Sequence, residues 1–390
     1  MSHRRVGVVL HDFSLGGTER IAARLATAWA QAGAEVTLFC GSEAGPMRAF
    51  VTDDVRVVAA PTAIKRAPGS RRLLGRQAAD HFARHPVDVV WVPGNYHWPI
   101  IPALNRIGIS ARPKIVAQVS AALQKPQRGR LRQIGFNARM RYLLRGAEEI
   151  VTLASSAKGE AHWILRHGRV AHIPLPALEA SAPSPQPIPE GPPIILGAGR
   201  LVPEKGFASL IAAFAQMDNE QARLVIAGDG PERQNLLDLA ESLGVASRLS
   251  MPGYVRDIRP LLDQARLFVL SSDFEGYAAV LIEALEAGRP VVSTNCTPAT
   301  LDLLRSSQAG RVVPIRDVPA LANAMGAMLA APAPDPRQLA AIASPFRIDG
   351  IALQYLALFD EVCSREAKRG RLAVPGLTWP TRAAPIKLAS

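Results

Sequence analysis

The sequence predicts an α/β protein with two doubly wound, Rossmann-like domains. Two apolar, strand-like runs at residues 5–10 and 194–199 are each followed by a glycine-containing turn and a helical stretch. Seven prolines between residues 176 and 193 separate these two starts. Because a buried strand, a glycine turn and a helix begin a doubly wound parallel sheet, we expect one such sheet on each side of the prolines.

Composition favours a folded protein inside the cell. The chain has 390 residues, of which 48% are hydrophobic, so it can bury several packed cores. It contains no run of eighteen apolar residues, and residues 1–5 lead directly into a strand-like run rather than a signal peptide. Three scattered cysteines predict neither a disulfide framework nor a zinc site. We therefore expect a cytoplasmic protein.

Charge is distributed unevenly along the chain. Residues 1–180 contain 25 lysines and arginines against 12 acidic residues, whereas the rest of the chain contains 20 against 21. A basic first half indicates an anionic partner there: a membrane surface, a lipid diphosphate or nucleic acid.

The first domain is predicted over residues 1–175. Strands are expected at 5–10, 35–40, 55–60, 88–93, 114–119, 148–153 and 169–174, with helices near 17–32, 70–84, 97–107, 128–145 and 156–167. His97 follows the strand at 88–93, where an α/β cleft lies, so it is either a contact to acceptor or donor or a structural loop histidine. No histidine is spaced from a cysteine as in a metal site, and we expect no metal.

Seven bases and no acid occur between residues 125 and 145. Leu131, Ile134, Ala138 and Tyr142 recur at helical spacing, so we expect this face to be buried while arginines cover the other. The bases fit a solvated helix face, anionic lipid headgroups or a lipid-diphosphate acceptor. Nucleic acid is not expected, because arginines and aromatic residues do not alternate here. The candidate acceptor or membrane residues begin with Lys125, Arg128, Arg130 and Arg132.

The proline-rich residues 176–193 predict a stiff linker, and a second domain is expected over 194–345. Its first strand leads into Arg200 and Lys205, and cations at the carboxyl end of a strand can bind a diphosphate.

Two glutamates follow the apolar strand at 267–270. Gly276 is predicted to open a helix that ends at Gly288, with Glu275 before it and Glu283 two turns inside. The two backbones then lie roughly 12 Å apart, too far to flank one glycosidic bond but suited to an elongated ligand whose anionic middle meets the helix N-terminus. A nucleotide sugar has this shape. The alternative is one N-terminal and one surface glutamate without a ligand.

These residues resemble a known enzyme family. Glu275, Gly276 and Glu283 with the following Gly288 and Pro290 resemble the E-x7-E signature of the retaining glycosyltransferases of family 4, the glycosyl transferases group 1, which have the GT-B fold. The run from Gly197 to Gly206 resembles the donor-binding loop of that family. The motifs extend over residues 1–315 in the family's order.

The resemblance implies the roles of the site residues. The donor is a nucleoside-diphosphate sugar; Glu275 lies at its sugar, Glu283 binds its ribose, and Arg200 and Lys205 neutralise the departing diphosphate, so Glu275, Arg200 and Lys205 are the candidate catalytic residues. No cofactor and no metal are implied. Tyr277-Ala278-Ala279 stands where relatives usually have Phe-Gly, and Ser120 stands where many have a histidine. Further donor contacts are implied at Gly16, Gly17, Gly228, Tyr254, Gly276, Tyr277, Ala278 and Ala279.

The family also implies an architecture and a setting. In the GT-B fold the two domains face each other across a cleft, and a last helix, here 346–368, crosses back onto the first domain; the tail 369–390 is expected to be loose. We expect a glycan or polyprenyl-diphosphate-linked acceptor, in exopolysaccharide or lipopolysaccharide synthesis at the inner face of the plasma membrane. Two alternatives stay open: a sugar phosphorylase or synthase of the same fold, and a non-catalytic protein that binds anionic polymers.

Overall fold

The computed structural model describes residues 4–120, 123–124, 128–181, 183–304 and 308–371. Within them the chain forms two parallel sheets, each covered by helices on both faces. This confirms the predicted α/β class with two doubly wound domains.

The first sheet has seven parallel strands. They are β1 (Arg5–Leu10), β2 (Glu35–Cys40), β3 (Arg56–Ala59), β4 (Val89–Val92), β5 (Lys114–Val119), β6 (Glu149–Thr152) and β7 (Val170–His172), in the order β3-β2-β1-β4-β5-β6-β7. The helices are α1 (Gly17–Gln31), α2 (Ser70–Arg84), α3 (Gly94–His97), α4 (Ile101–Leu104), α5 (Arg130–Leu144) and α6 (Ala157–Leu165). The single helix expected at 97–107 is replaced by α3, a 3-10 turn and α4.

The second sheet has six parallel strands. They are β8 (Ile194–Ala198), β9 (Arg223–Ala227), β10 (Leu249–Gly253), β11 (Leu267–Leu270), β12 (Val291–Thr294) and β13 (Gly310–Val313), in the order β10-β9-β8-β11-β12-β13. The helices are α7 (Phe207–Ala215), α8 (Arg233–Ser242), α9 (Arg259–Gln264), α10 (Ala279–Glu286), α11 (Pro298–Leu303), α12 (Val318–Ala330), α13 (Pro336–Ala343) and α14 (Ile348–Arg371). Among the described residues, no helix is both long and apolar enough to cross a membrane.

In each sheet the order in which the strands follow one another reverses at one place. Strand order changes between β1 and β4 in the first sheet and between β8 and β11 in the second. The central strands are buried on both faces, which is why they read as continuous apolar runs. Ligands of doubly wound sheets bind outside the carboxyl ends of the strands at this switch point.

Helix α14 crosses back from the second domain to the first, as predicted. Its Tyr355 and Phe359 rings lie 5.6 Å and 5.3 Å from the Trp29 ring on α1, centroid to centroid. The Tyr355 hydroxyl donates a hydrogen bond of 2.9 Å to Gln118 Oε1 at the end of β5. Arg365 adds an ion pair of 2.7 Å with Glu149. Helix α14 therefore packs against the first domain.

Two arginines hold the proline-rich segment against the second domain. Arg289, which is fully buried, donates hydrogen bonds to the carbonyl oxygens of Gln186 and Pro187. Arg259 does the same for Pro183 and Ser184. Because prolines have no N–H to join a sheet, these donors take up the carbonyl groups of the segment instead.

We expect Tyr355→Ala to destabilise the protein by about 3–5 kcal/mol, because it leaves a cavity among Trp29, Trp91 and Phe359 and removes the partner of Gln118. Leu353→Ala on the same helix is the matched control: its side chain is 57% exposed, so the change should stay within about 0.5 kcal/mol. Urea denaturation followed by circular dichroism measures both. Equal effects of the two substitutions would contradict the assigned packing.

Candidate functional site

A cavity of about 1070 Å³ lies between the two domains. Leu15 and Arg20 line it from the first domain, and the turns that follow β8, β9, β10 and β11 line it from the second. It therefore lies at the switch point of the second sheet. Of the predicted donor and catalytic residues, those in its wall are Arg200, Lys205, Gly228, Tyr254, Glu275, Tyr277, Ala278, Ala279 and Glu283.

The wall of the cavity contains an ion pair. Lys205 Nζ lies 2.5 Å from Glu275 Oε1, and the same oxygen accepts a hydrogen bond of 2.9 Å from the Ser272 hydroxyl. Lys205 ends a 3-10 turn after β8, whereas Glu275 follows β11, the neighbouring strand. The adjacency of β8 and β11 thus brings together two residues that are seventy positions apart. An ammonium has three donors, so Lys205 can bind an anion while it keeps Glu275.

Arg200 lies in the same cavity wall. Its side chain is 70% exposed and lies 3.5 Å from Glu204, a weak surface contact that a ligand can replace. The backbone of Gly228 passes close by: a Cβ atom there would lie 1.8 Å from the Gly199 carbonyl oxygen, and its φ is +149°. Glycine is required because the two turns meet with no space for a side chain.

Helix α10 begins later than predicted. It starts at Ala279 rather than at Gly276, so Glu275 and Gly276 belong to the preceding loop. The distance of roughly 12 Å assumed helix throughout and does not apply. Glu283 still lies in α10 and in the cavity wall, where burial raises the pKa of its carboxyl group. Arg20 of the first domain lies 3.8 Å from Glu283 and opposes this shift.

The turn at Gly16 and Gly17 reaches the cavity through its neighbours. The two glycines do not line the cavity. Leu15, which precedes them, and Arg20 in α1 line it instead. Arg66, which the sequence analysis did not select, fixes this turn: it donates to both oxygens of Asp12 at 2.6 and 2.7 Å and to Glu19 at 2.7 Å. Arg66 thereby lowers the pKa of Asp12 and joins the two ends of the turn. In the sequence, the only indication of this role is that Arg66 is a basic residue in the loop before α2.

His97 has the surroundings of a structural loop histidine, which is one of the two alternatives stated for it. The side chain is fully buried. Its Nδ1 lies 2.8 Å from the Pro93 carbonyl oxygen, and its Nε2 lies 3.1 Å from the backbone nitrogen of His11. The ring must donate from Nδ1 and accept at Nε2, so it is neutral and both nitrogens are occupied. It joins the loops after β1 and β4 across the switch point of the first sheet.

Ser120 lines a second, smaller cavity of about 40 Å³ beside the first. Its hydroxyl accepts from the Asn95 backbone at 3.2 Å, and its backbone donates to Asn95 Oδ1 at 2.9 Å. Gly276 and Tyr277 form the opposite wall, and Tyr277 also lines the large cavity. Tyr277 therefore separates the two spaces, at the position where the sequence departs from the family pattern.

The basic segment lies partly outside the described residues, which include Arg128, Arg130 and Arg132 but not Lys125. Arg128 stacks 3.6 Å from the Phe136 ring and donates to the Leu123 carbonyl, so it holds the start of α5. Arg130 and Arg132 are exposed. The prediction of which face of α5 is buried is wrong. Leu131, Ile134 and Tyr142 are exposed to solvent. The buried residues of α5 are instead Met140, Leu143 and Leu144.

A carboxylate of the second domain also contacts the first domain. Asp302 Oδ2 on α11 accepts hydrogen bonds of 3.0 Å from the Ser155 and Ser156 hydroxyls. These serines precede α6, so the carboxylate lies where a helix N-terminus favours negative charge. In the part of the chain that the structure describes, no group of three or more histidine, cysteine, aspartate or glutamate residues has the geometry of a metal site.

We expect acid to destabilise the protein through His97. Burial lowers the pKa of His97 to about 4, against about 6.5 in an unfolded chain. Because the fold favours the neutral ring, the stability it contributes is present above pH 6.5 and is lost as pH falls toward 4. Between about pH 7 and pH 5, wild type should lose about 2 kcal/mol more than His97→Gln in urea denaturation. Parallel losses in both proteins would contradict this assignment.

Two family models match adjacent parts of the chain. Residues 15–176 match the model of Glycosyltransferase Family 4, and residues 171–344 match that of Glycosyl transferases group 1. A curated relative, the lipopolysaccharide core biosynthesis glycosyltransferase LpsE of Rhizobium meliloti, is 37% identical over 142 residues, which are 36% of this chain and 41% of LpsE. The chain thus spans less than half of the length of this relative.

Solved structures of the same fold cover nearly the whole chain. The lipopolysaccharide outer core galactosyltransferase WaaB superposes with a TM-score of 0.74 at 15% identity, over 92% of this chain and 99% of WaaB. Anabaena HepE in complex with UDP-glucose superposes with a TM-score of 0.66 at 18% identity, over 94% of this chain and all of HepE. These likenesses confirm the GT-B fold. Since the two family models together extend over residues 15–344, the chain belongs to glycosyltransferase family 4, the group 1 glycosyltransferases.

Proposed function

We propose that this protein transfers a sugar, with retention of anomeric configuration, from a nucleoside-diphosphate sugar to a glycan or polyprenyl-diphosphate-linked acceptor. The observation that carries the proposal is the Lys205–Glu275 pair, which shares with Arg200 the wall of a cavity between two doubly wound domains. The setting we propose is cell-surface polysaccharide synthesis at the cytoplasmic face of the plasma membrane. The name of the relative LpsE supports the pathway, and HepE supports a uridine nucleotide as one candidate donor.

The cavity offers a complementary group to each part of such a donor. Tyr254, whose side chain is 67% exposed in the cavity wall, presents a ring on which a nucleobase can stack. Glu283 can accept hydrogen bonds from ribose hydroxyls, and Arg200 with Lys205 can neutralise the diphosphate. The sugar then lies at Glu275 and Tyr277, next to the second cavity.

The proposed chemistry needs charge stabilisation at the leaving group and at the sugar. The acceptor hydroxyl oxygen forms a bond to the anomeric carbon while the bond from that carbon to the diphosphate oxygen breaks on the same face. The hydroxyl proton passes to the departing diphosphate oxygen. Arg200 and Lys205 stabilise the negative charge that develops there, in the role that a divalent ion has in other transferases. Glu275 stabilises the positive charge on the sugar ring.

The acceptor approaches from the first domain. The second cavity opens between Ser120 and Leu123 of that domain and Gly276 and Tyr277 of the other, beside the proposed sugar position. Ser120 is a polar side chain that the first domain contributes to this cavity. It stands where many relatives have a histidine. We propose that its hydroxyl orients the acceptor, while His97 fixes the loop behind it.

We expect Lys205→Ala to lower glycosyl transfer by about 10²–10³-fold, because it removes a preorganised cation from the leaving group. Lys158→Ala is the matched control, since Lys158 is an exposed lysine on α6 and should leave transfer unchanged. Transfer is followed by NMR, so that the same spectra report the anomeric configuration of donor and product. Thermal unfolding should show that both variants are folded.

Turnover of Lys205→Ala at the wild-type rate would contradict the diphosphate assignment. An inverted anomeric centre in the product would contradict retention and leave the donor site standing. The two parts of the proposal are thus tested separately by one experiment.

A further inference from the structure

Helix α5 presents an apolar stripe to solvent. Leu131, Ile134 and Tyr142 are 85%, 64% and 63% exposed, although each is a large hydrophobic residue. With Ala138 they are spaced by three or four residues, so they lie on one face of the helix. The opposite face is already packed into the core through Met140, Leu143 and Leu144. The stripe is therefore a second apolar face, and no described part of this chain buries it.

Arginines border the stripe on both sides. Arg132 and Arg139, seven residues apart, follow one side, and Arg130 and Arg141, eleven residues apart, follow the other. Arg141 is anchored by a 2.7 Å hydrogen bond to the Ile164 carbonyl. No acidic residue occurs in the sequence between Asp88 and Glu148, so nothing on this helix offsets the charge. An apolar strip between two basic edges is the pattern of a helix that lies in a membrane interface.

We propose that α5 docks this protein on an anionic bilayer, with the Leu131, Ile134 and Tyr142 side chains inserted among the acyl chains and the flanking arginines at the headgroups. The inference deepens the proposed function, since it assigns the surface that meets the membrane. A second copy of the chain is a poorer occupant, because a two-fold contact would bring the arginine edges of both copies together. Nucleic acid would satisfy the arginines but leave the apolar stripe without a partner.

The position of α5 relates this surface to the acceptor side of the cleft. Leu123 lines the second cavity, and its carbonyl accepts hydrogen bonds from Arg128 at 3.2 Å and Gln133 at 3.0 Å. The start of α5 is therefore tied to the wall of that cavity. A bilayer that receives the stripe would lie near the opening through which a lipid-linked acceptor enters.

Cosedimentation of the purified full chain with vesicles tests this proposal without any donor or acceptor. The vesicles are phosphatidylcholine alone and phosphatidylcholine mixed with phosphatidylglycerol. The apolar variant is Leu131→Gln with Ile134→Gln, which keeps every charge. Its control is Ile109→Gln, at an isoleucine of the first domain that is 87% exposed and is not part of α5. Because the replaced side chains are exposed, circular dichroism should show all variants folded.

We expect wild type and Ile109→Gln to bind the anionic vesicles alike, and the apolar variant to bind about tenfold or more weakly. Arg132→Gln with Arg139→Gln should also weaken binding by about tenfold, and added salt should remove this electrostatic part while the apolar part persists.

Three results would overturn the proposal. They are no binding of wild type to anionic vesicles, binding of the apolar variant at the wild-type level, and a wild-type dimer in solution that the apolar variant abolishes. Vesicle binding is independent of catalysis, so a failed docking surface leaves the glycosyltransferase proposal untouched, and the reverse also holds.

Discussion

Burial of the α14 aromatic face on the first domain is the constraint on which the cleft depends. The chain leaves the second domain after α13, yet Tyr355 and Phe359 find their partners on α1 and at the end of β5. With the arginine-bound linker, this contact gives the two domains a double connection. The carboxyl ends of both sheets are thereby brought to one cavity, where neither domain alone would enclose a ligand.

The cavity divides its roles between the two domains. The second domain supplies the ion pair of Lys205 and Glu275 from the segments that follow the neighbouring strands β8 and β11, so the strand order brings the two residues together. The first domain contributes Arg20 from the start of α1, next to Glu19, which Arg66 joins to Asp12 of the preceding loop. Charged groups fixed in this way need little rearrangement when a ligand's own charge arrives, which is the physical basis of electrostatic catalysis.

Local sequence patterns predicted most of the fold. Errors arose where contacts between residues distant in sequence determine which face is buried or where a helix begins. Buried parallel strands such as β4 read as apolar runs, and motif order located the cavity residues. The helical period of α5 identified which residues share a face but not which face meets the core. The role of His97 depends on the backbone of His11, which is distant in sequence, and the late start of α10 depends on how the Gly276 loop packs. Arg66 carries no local pattern, because its partners Asp12 and Glu19 are distant in sequence.

We propose above all that the cavity binds a nucleoside-diphosphate sugar. Thermal unfolding of the full chain against a panel of UDP-, GDP- and ADP-sugars, without added metal, tests it most directly. A ligand that binds only the folded state raises the unfolding temperature, so we predict a selective rise with one nucleotide sugar and a smaller rise in Lys205→Ala. No rise with any of them, in a folded sample, would contradict the claim and favour a phosphorylase or a non-catalytic polymer-binding protein.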